Sequence, residues 1–174
     1  HRAYERSDYE YAPDYQSFCA RNTFWLEDYA LYMAIKMQQD GKEWLAWPEG
    51  LRLREETALA KAREELRQEI GFWKFCQYQF FCQWDSLKSY ANRLGIRIIG
   101  DIPIYVALDS ADVWVNFHLF QLDENRMPTK VAGVPPDMFS ATGQLWGNPL
   151  YRWDRMEADG FSWWRQRKGC WAQL

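Results

Sequence analysis

The sequence predicts an α/β fold, and three observations carry that prediction. Residues 72–94 place Phe72, Cys76, Phe80, Trp84, Leu87, Ala91 and Leu94 at a mean spacing of about 3.6, one face of an amphipathic helix. Gly95 follows the last apolar position, where a left-handed residue closes a helix. The β-branched run Ile96-Arg97-Ile98-Ile99 then leads to Gly100-Asp101 and reads as a buried parallel strand ending in a carboxylate. A helix, a one-residue stop and a strand form the repeat of a parallel α/β barrel or a doubly wound sheet. At 174 residues the chain can bury a real core, yet it falls short of the ~250 residues of a closed (β/α)8 barrel.

Taken in order, residues 1–17 are polar and tyrosine-rich, with Pro13 among them, and read as a loop or frayed end. From Phe18 to Met37 the apolar spacing turns helical, with Asn22 or Thr23 as the cap. Within it Asp28 reads as a structural carboxylate bonded to a backbone end or an arginine. Gln39-Asp40-Gly41-Lys42 is a turn, and Trp44 and Trp47-Pro48 after it read as indoles packed between helices. Residues 54–70 read as a charged helix with a narrow stripe of Leu59, Ala62, Leu66 and Ile70, and with Lys61 and Glu65 paired on its solvated side. Beyond the 96–99 strand, Asp101 reads as a carboxylate accepting backbone N–H bonds from its loop. Asp109 or Ser110 caps a helix start, with Asp112 well placed in its first turn. Residues 133–151 read as a loop stiffened by Pro135-Pro136 and bent at glycines 133, 143 and 147.

Composition excludes several function classes. With 21 basic and 24 acidic residues the net charge is −3, which gives no electrostatic footprint for nucleic acid. No apolar run approaches the ~18 residues of a membrane span, so no membrane partner is expected. The four cysteines, at 19, 76, 82 and 170, lack metal-site spacing and read as buried free thiols of a reducing cytoplasm; no metal or other cofactor is expected. His118 reads as a surface or packing residue, without the partners of a catalytic triad. Aromatic residues make up 18% of the chain, with 11 Trp, 10 Tyr and 10 Phe. Most must be core material, but flat rings also stack on the C–H faces of sugars.

The segments GDIPIYVALDSADVW (100–114) and GVPPDMFSATGQLWGNPLY (133–151), with WLEDYAL at 25–31, resemble signature segments of 4-α-glucanotransferases of the amylomaltase type, glycoside hydrolase family 77. The likeness runs from about Phe18 to Arg165. It implies part of a (β/α)8 TIM barrel, incomplete in this chain, with residues 1–174 as a partial catalytic barrel domain and about 38–71 as a helical insertion. It also implies α-1,4-glucans and malto-oligosaccharides as substrates and a retaining double-displacement transfer. Substrate contacts then fall to Tyr105, Asp109, Asp137, Phe139, Ser140, Gln144, Trp146 and Asn148, and for Asp109 this replaces the capping role. Met138 stands where the family pattern leads one to expect an aromatic. The nucleophile of an Arg-x-Asp-His-like strand and the acid/base glutamate find no counterpart, so both are expected beyond Leu174. The chain, which begins at His1 rather than Met, reads as an internal fragment or truncated product that does not catalyse alone. The alternative is a catalytically inactive glucan-binding or partner-binding fragment.

Overall fold

The computed structural model describes residues 1–6 and 8–173, apart from the side chains of 2, 3 and 170–173. The chain divides into two compact units, residues 1–99 and 100–173. Among the described residues no helix is long and apolar enough to cross a membrane.

The first unit is helical throughout. Residues 1–17, expected to be a loop, instead hold α1 (Arg2–Glu5), a 3-10 turn at Tyr9–Tyr11, and the start of α2 (Pro13–Arg21). Pro13 opens α2 because its missing N–H would lack a helical partner there anyway. Tyr4 and Tyr15 are buried rather than frayed, and with Phe75 they form a small aromatic core. The single helix expected over 18–37 is two, α2 and α3 (Thr23–Gln38), broken at Asn22. Asn22 does not cap α3 with its side chain. Its Nδ2 instead donates to the Phe18 carbonyl of α2 at 2.8 Å, while its Oδ1 accepts from the Trp25 indole at 3.0 Å. A carbonyl in the last turn of one helix and the first indole of the next thus share one buried amide.

The turn after α3 has Asp40 and Gly41 at positive φ, as read from sequence. Trp44 and Trp47 are buried, as expected, and the Trp47 ring lies 5.3 Å from Tyr32. The helix expected over 54–70 is shorter. After α4 (Glu49–Arg52), α5 runs Glu56–Glu65 and breaks at Leu66, where α6 (Arg67–Arg93) begins. Asp28 meets an arginine, as expected: Arg54 Nη2 lies 2.8 Å from its carboxylate.

The 27-residue α6 is about 40 Å long and lies against α2 and α3. Phe18 rings contact Tyr78 and Phe81, Gln77 donates to the Tyr29 hydroxyl at 3.1 Å, and Lys74 pairs with Glu27 at 2.6 Å. The buried side of α6 is therefore centred on Phe75, Tyr78 and Phe81, not on the stripe read from sequence. Phe80, Leu87 and Leu94 of that stripe are exposed, because α2 and α3 cover only the first half of the helix. Gly95 closes α6 with φ of +78°, as its place in the sequence predicts.

The parallel strand expected at 96–99 is absent. These residues form no ladder, and Ile96, Ile98 and Ile99 are exposed, Ile99 at 94%. A strand exists only through a partner for its N–H and C=O groups, and none of the described residues pairs with this run. The thiols also differ from expectation: Cys82 is exposed, Cys19 and Cys76 are half-buried, and Cys170 lies outside the described side chains.

The second unit opens on a segment without regular structure. Asp101 is exposed within it. Ser110 then caps α7 (Ala111–Val115), accepting from the Val113 N–H, and Val113 and Trp114 are completely buried. Beyond a 3-10 turn at Phe117–Leu119, where His118 is exposed as expected, the loop read at 133–151 proves to be the greater part of a β-hairpin. Its strands, β1 (Val131–Val134) and β2 (Gln144–Pro149), are antiparallel, with Gly133 opposite Leu145 and Val134 opposite Gln144. Gly133 sits inside a strand because a Cβ there would meet the Gln144 carbonyl oxygen at 2.5 Å. The unit ends with α8 (Trp153–Ala158) and α9 (Ser162–Gln173).

Candidate functional site

The hairpin and the segment before α7 meet through side chains rather than a backbone ladder. Asn148 donates from Nδ2 to the Val106 carbonyl at 2.9 Å, and the Tyr151 hydroxyl donates to the Ile104 carbonyl at 3.0 Å. These two bonds bracket Tyr105. Its ring stacks on Tyr151 with centroids 5.9 Å apart and planes 7° from parallel, and meets Trp146 edge to face at 6.1 Å. Alternation along β2 gives Gln144 and Trp146 one side of the strand, and the Trp146 indole donates to Gln144 Oε1 at 3.0 Å. The Trp146 ring is 45% exposed, so one of its surfaces is open to a ligand.

At the hairpin tip the polar residues shape the turn. Asp137 Oδ1 accepts from the Phe139 and Ser140 N–H groups at 2.9 and 2.8 Å, and Ser140 Oγ donates to the Gly143 carbonyl at 2.8 Å. This is a side-chain-closed turn, and it pushes Met138 and Phe139 outward, 89% and 87% exposed. Asp109 is half-buried, one residue before the capping Ser110.

Of the eight residues singled out from sequence, the structure therefore groups Tyr105, Gln144, Trp146 and Asn148. It sets Asp137, Phe139 and Ser140 together at the tip, and places Asp109 at the start of α7. The grouped four offer ring faces and amides, the chemistry that holds a polyhydroxylated ring: apolar C–H faces on aromatics, hydroxyls on amides. Among the described residues no three of His, Cys, Asp and Glu converge as metal ligands would.

Sequence reading missed the groups beneath this cluster. Tyr151 is 2% exposed and ringed by Phe120, Trp153, Trp163 and Trp164. Burial pushes its hydroxyl up to about 12, against the lowering pull of the Arg167 charge. Burial also raises the Asp112 carboxyl, against the opposing pull of Arg167 and a bond from Trp163. No local pattern around Tyr151 marks it, since all of these partners but Trp153 lie twelve or more residues away in the chain.

The Tyr151 shift has a sign. Between pH 10 and 12 the folded state keeps a proton that the unfolded state has lost, so stability falls as pH rises through this window. A Tyr151→Phe variant lacks that loss. The stability gap between the two proteins, measured by urea denaturation, should narrow by about 1 kcal/mol from pH 10 to 11. A constant gap would show that Tyr151 ionises normally.

Three comparisons bear on this arrangement. A family model described as 4-alpha-glucanotransferase matches residues 1–173. The chain is similar to the 4-alpha-glucanotransferase of Thermus thermophilus, 54% identical over 163 residues, covering 94% of this chain and 33% of that protein. It is similar to the Aquifex aeolicus 4-alpha-glucanotransferase, 51% identical over 152 residues, with coverages of 87% and 31%. A solved amylomaltase from Streptococcus agalactiae in complex with acarbose superposes with a TM-score of 0.83 at 45% identity, covering 88% of this chain and 31% of that one. The chain thus spans about a third of the length of the curated relatives it matches.

Proposed function

From the fact that this chain belongs to the 4-alpha-glucanotransferase family, we propose that it forms part of the glucan cleft of such an enzyme. The activity is transfer of α-1,4-glucan segments between malto-oligosaccharides, in the cytoplasm, by a retaining double displacement. In that reaction a carboxylate attacks the anomeric carbon, a second carboxyl group protonates the leaving oxygen, and the glucosyl-enzyme is opened by a sugar 4-hydroxyl. The observation that carries the reading is the Tyr105–Trp146 edge-to-face pair with Gln144 and Asn148 beside it.

In this reading Trp146 and Tyr105 present ring faces to the sugar, while Gln144 and Asn148 address its hydroxyls. Asp109 holds hydroxyls of the ring being cleaved, a contact that tightens as that ring flattens in the transition state. Phe139, Ser140 and Asp137 extend the contact at the tip of the hairpin. The nucleophile and the acid/base are contributed from outside these residues. Helix α6 is one helix of a (β/α)8 barrel of which this chain holds part, residues 1–174 belong to its catalytic domain, and about 38–71 are a helical insertion. The one-third coverage of the relatives favours binding without turnover by this chain alone.

Calorimetric titration with acarbose and product analysis after incubation with maltotriose test both halves. Saturable acarbose binding with unchanged maltotriose is the expected result. Trp146→Ala should weaken binding about tenfold or more, the worth of one well-stacked aromatic, without lowering thermal stability. Absence of binding would overturn the glucan reading. Longer and shorter malto-oligosaccharides would overturn the placing of the catalytic carboxylates elsewhere.

A further inference from the structure

Resting on the glucan-cleft reading, we infer that Tyr151 is a positioning residue that sets the sugar-facing orientation of Tyr105 without touching the sugar itself. Tyr151 is almost entirely buried, which denies it a ligand, yet its phenol is bonded. It donates to the Ile104 carbonyl at 3.0 Å, next to Tyr105 in the chain, and the positive charge of Arg167 of α9 acts on it. Its ring is nearly parallel to that of Tyr105, and Tyr105 in turn abuts Trp146.

Arg167 is itself held from two sides. Its guanidinium lies over the rings of Trp163 and Trp164, 5.0 and 5.6 Å from their centroids, and it attracts the carboxylate of Asp112. A chain of contacts thus runs from α7 and α9 through the phenol of Tyr151 to the backbone and ring of Tyr105. Tyr105 has no hydrogen-bonded ladder of its own, since residues 100–109 form neither helix nor strand. A stacking ring on such a segment keeps one orientation only if something beneath it is fixed, and pre-set orientation is worth affinity because it need not be established on binding.

The test is a double-mutant cycle on acarbose affinity, using the whole chain with Tyr151→Phe, Tyr105→Ala and both together. Tyr151→Phe keeps the ring and removes the phenol bond to Ile104. It should raise Kd about fivefold in the unsubstituted chain and leave it unchanged, within about 1.5-fold, when Tyr105 is already alanine. Equal weakening in both backgrounds, or none in either, overturns the inference, since a merely structural Tyr151 acts regardless of Tyr105. If Tyr151→Phe does not fold, Arg167→Gln enters the same cycle: it keeps the phenol and its bond to Ile104 but removes the cation packed over Trp163 and Trp164, and the same non-additivity is expected. Failure of the unsubstituted chain to bind acarbose is a separate outcome, which overturns the cleft reading and this inference with it.

Discussion

Replacing Trp114 with alanine should cost about 3–5 kcal/mol, the range for deleting a fully buried aromatic. Trp114 has no exposed surface, on a helix of only five residues that cannot stand alone. The total stability of a domain is about 5–15 kcal/mol, so the loss is comparable with what holds the second unit together. Urea denaturation followed by tryptophan fluorescence is the measurement. A change below about 1 kcal/mol would mean that the indole's neighbours collapse onto the space it leaves. The exposed Phe139 is the control: its truncation removes little packing, and stability should move by less than about 1 kcal/mol.

Gly143→Ala should destabilise the hairpin by about 2–4 kcal/mol. Two independent costs add there. The residue has φ of +72°, and a Cβ would meet the Val134 carbonyl oxygen at 2.5 Å, the Pro135 carbonyl carbon at 3.0 Å and the Pro136 nitrogen at 3.1 Å. All three are backbone atoms of a proline-stiffened segment and cannot swing aside. Gly147 separates the two costs, since its φ is +79° but no atom lies within 4 Å of an added Cβ. Gly147→Ala should therefore cost only the strain, about 1 kcal/mol. Equal effects at the two positions, read from melting temperatures, would show that the clash at Gly143 relaxes. The pair also bears on binding, because the turn that Gly143 closes presents Phe139, whereas Gly147 lies in β2 between Trp146 and Asn148.

Much of the first unit was legible in the sequence because its determinants are local. Gly95 marks the end of α6 by its lack of a side chain, Asp28 finds an arginine, and the Trp44–Trp47 pair packs inward. Where the sequence misled, the deciding fact lay far along the chain. Ile96–Ile99 has every local feature of a strand, but a strand needs a partner. The stripe from Phe72 to Leu94 has the right period, but which side of a helix is covered depends on α2 and α3. Residues 133–151 carry so many glycines and prolines that a loop was the natural reading. Gly133 is in fact a strand glycine, placed by a close backbone approach that only the paired structure reveals. The candidate site was legible mainly through the family resemblance. Bare residue types identify Trp146 and Tyr105 as aromatics but not as neighbours, and Tyr151 gained significance only through Ile104, 47 residues before it.

The division into units at residue 99 has a consequence in time. Ribosomes add about 5–20 residues per second, so residues 100–174 take roughly 4–15 s to synthesise after the first unit is complete. Helical units rich in local contacts fold in microseconds to milliseconds. The aromatic core of Tyr4, Tyr15 and Phe75 therefore has thousands of folding times in which to form before Arg167 is translated. The second unit gains its hairpin early, from neighbours in sequence, but the surroundings of Tyr151 are complete only once α9 has been made. The order of synthesis therefore sets the seating of Tyr105 later than the folding of the first unit.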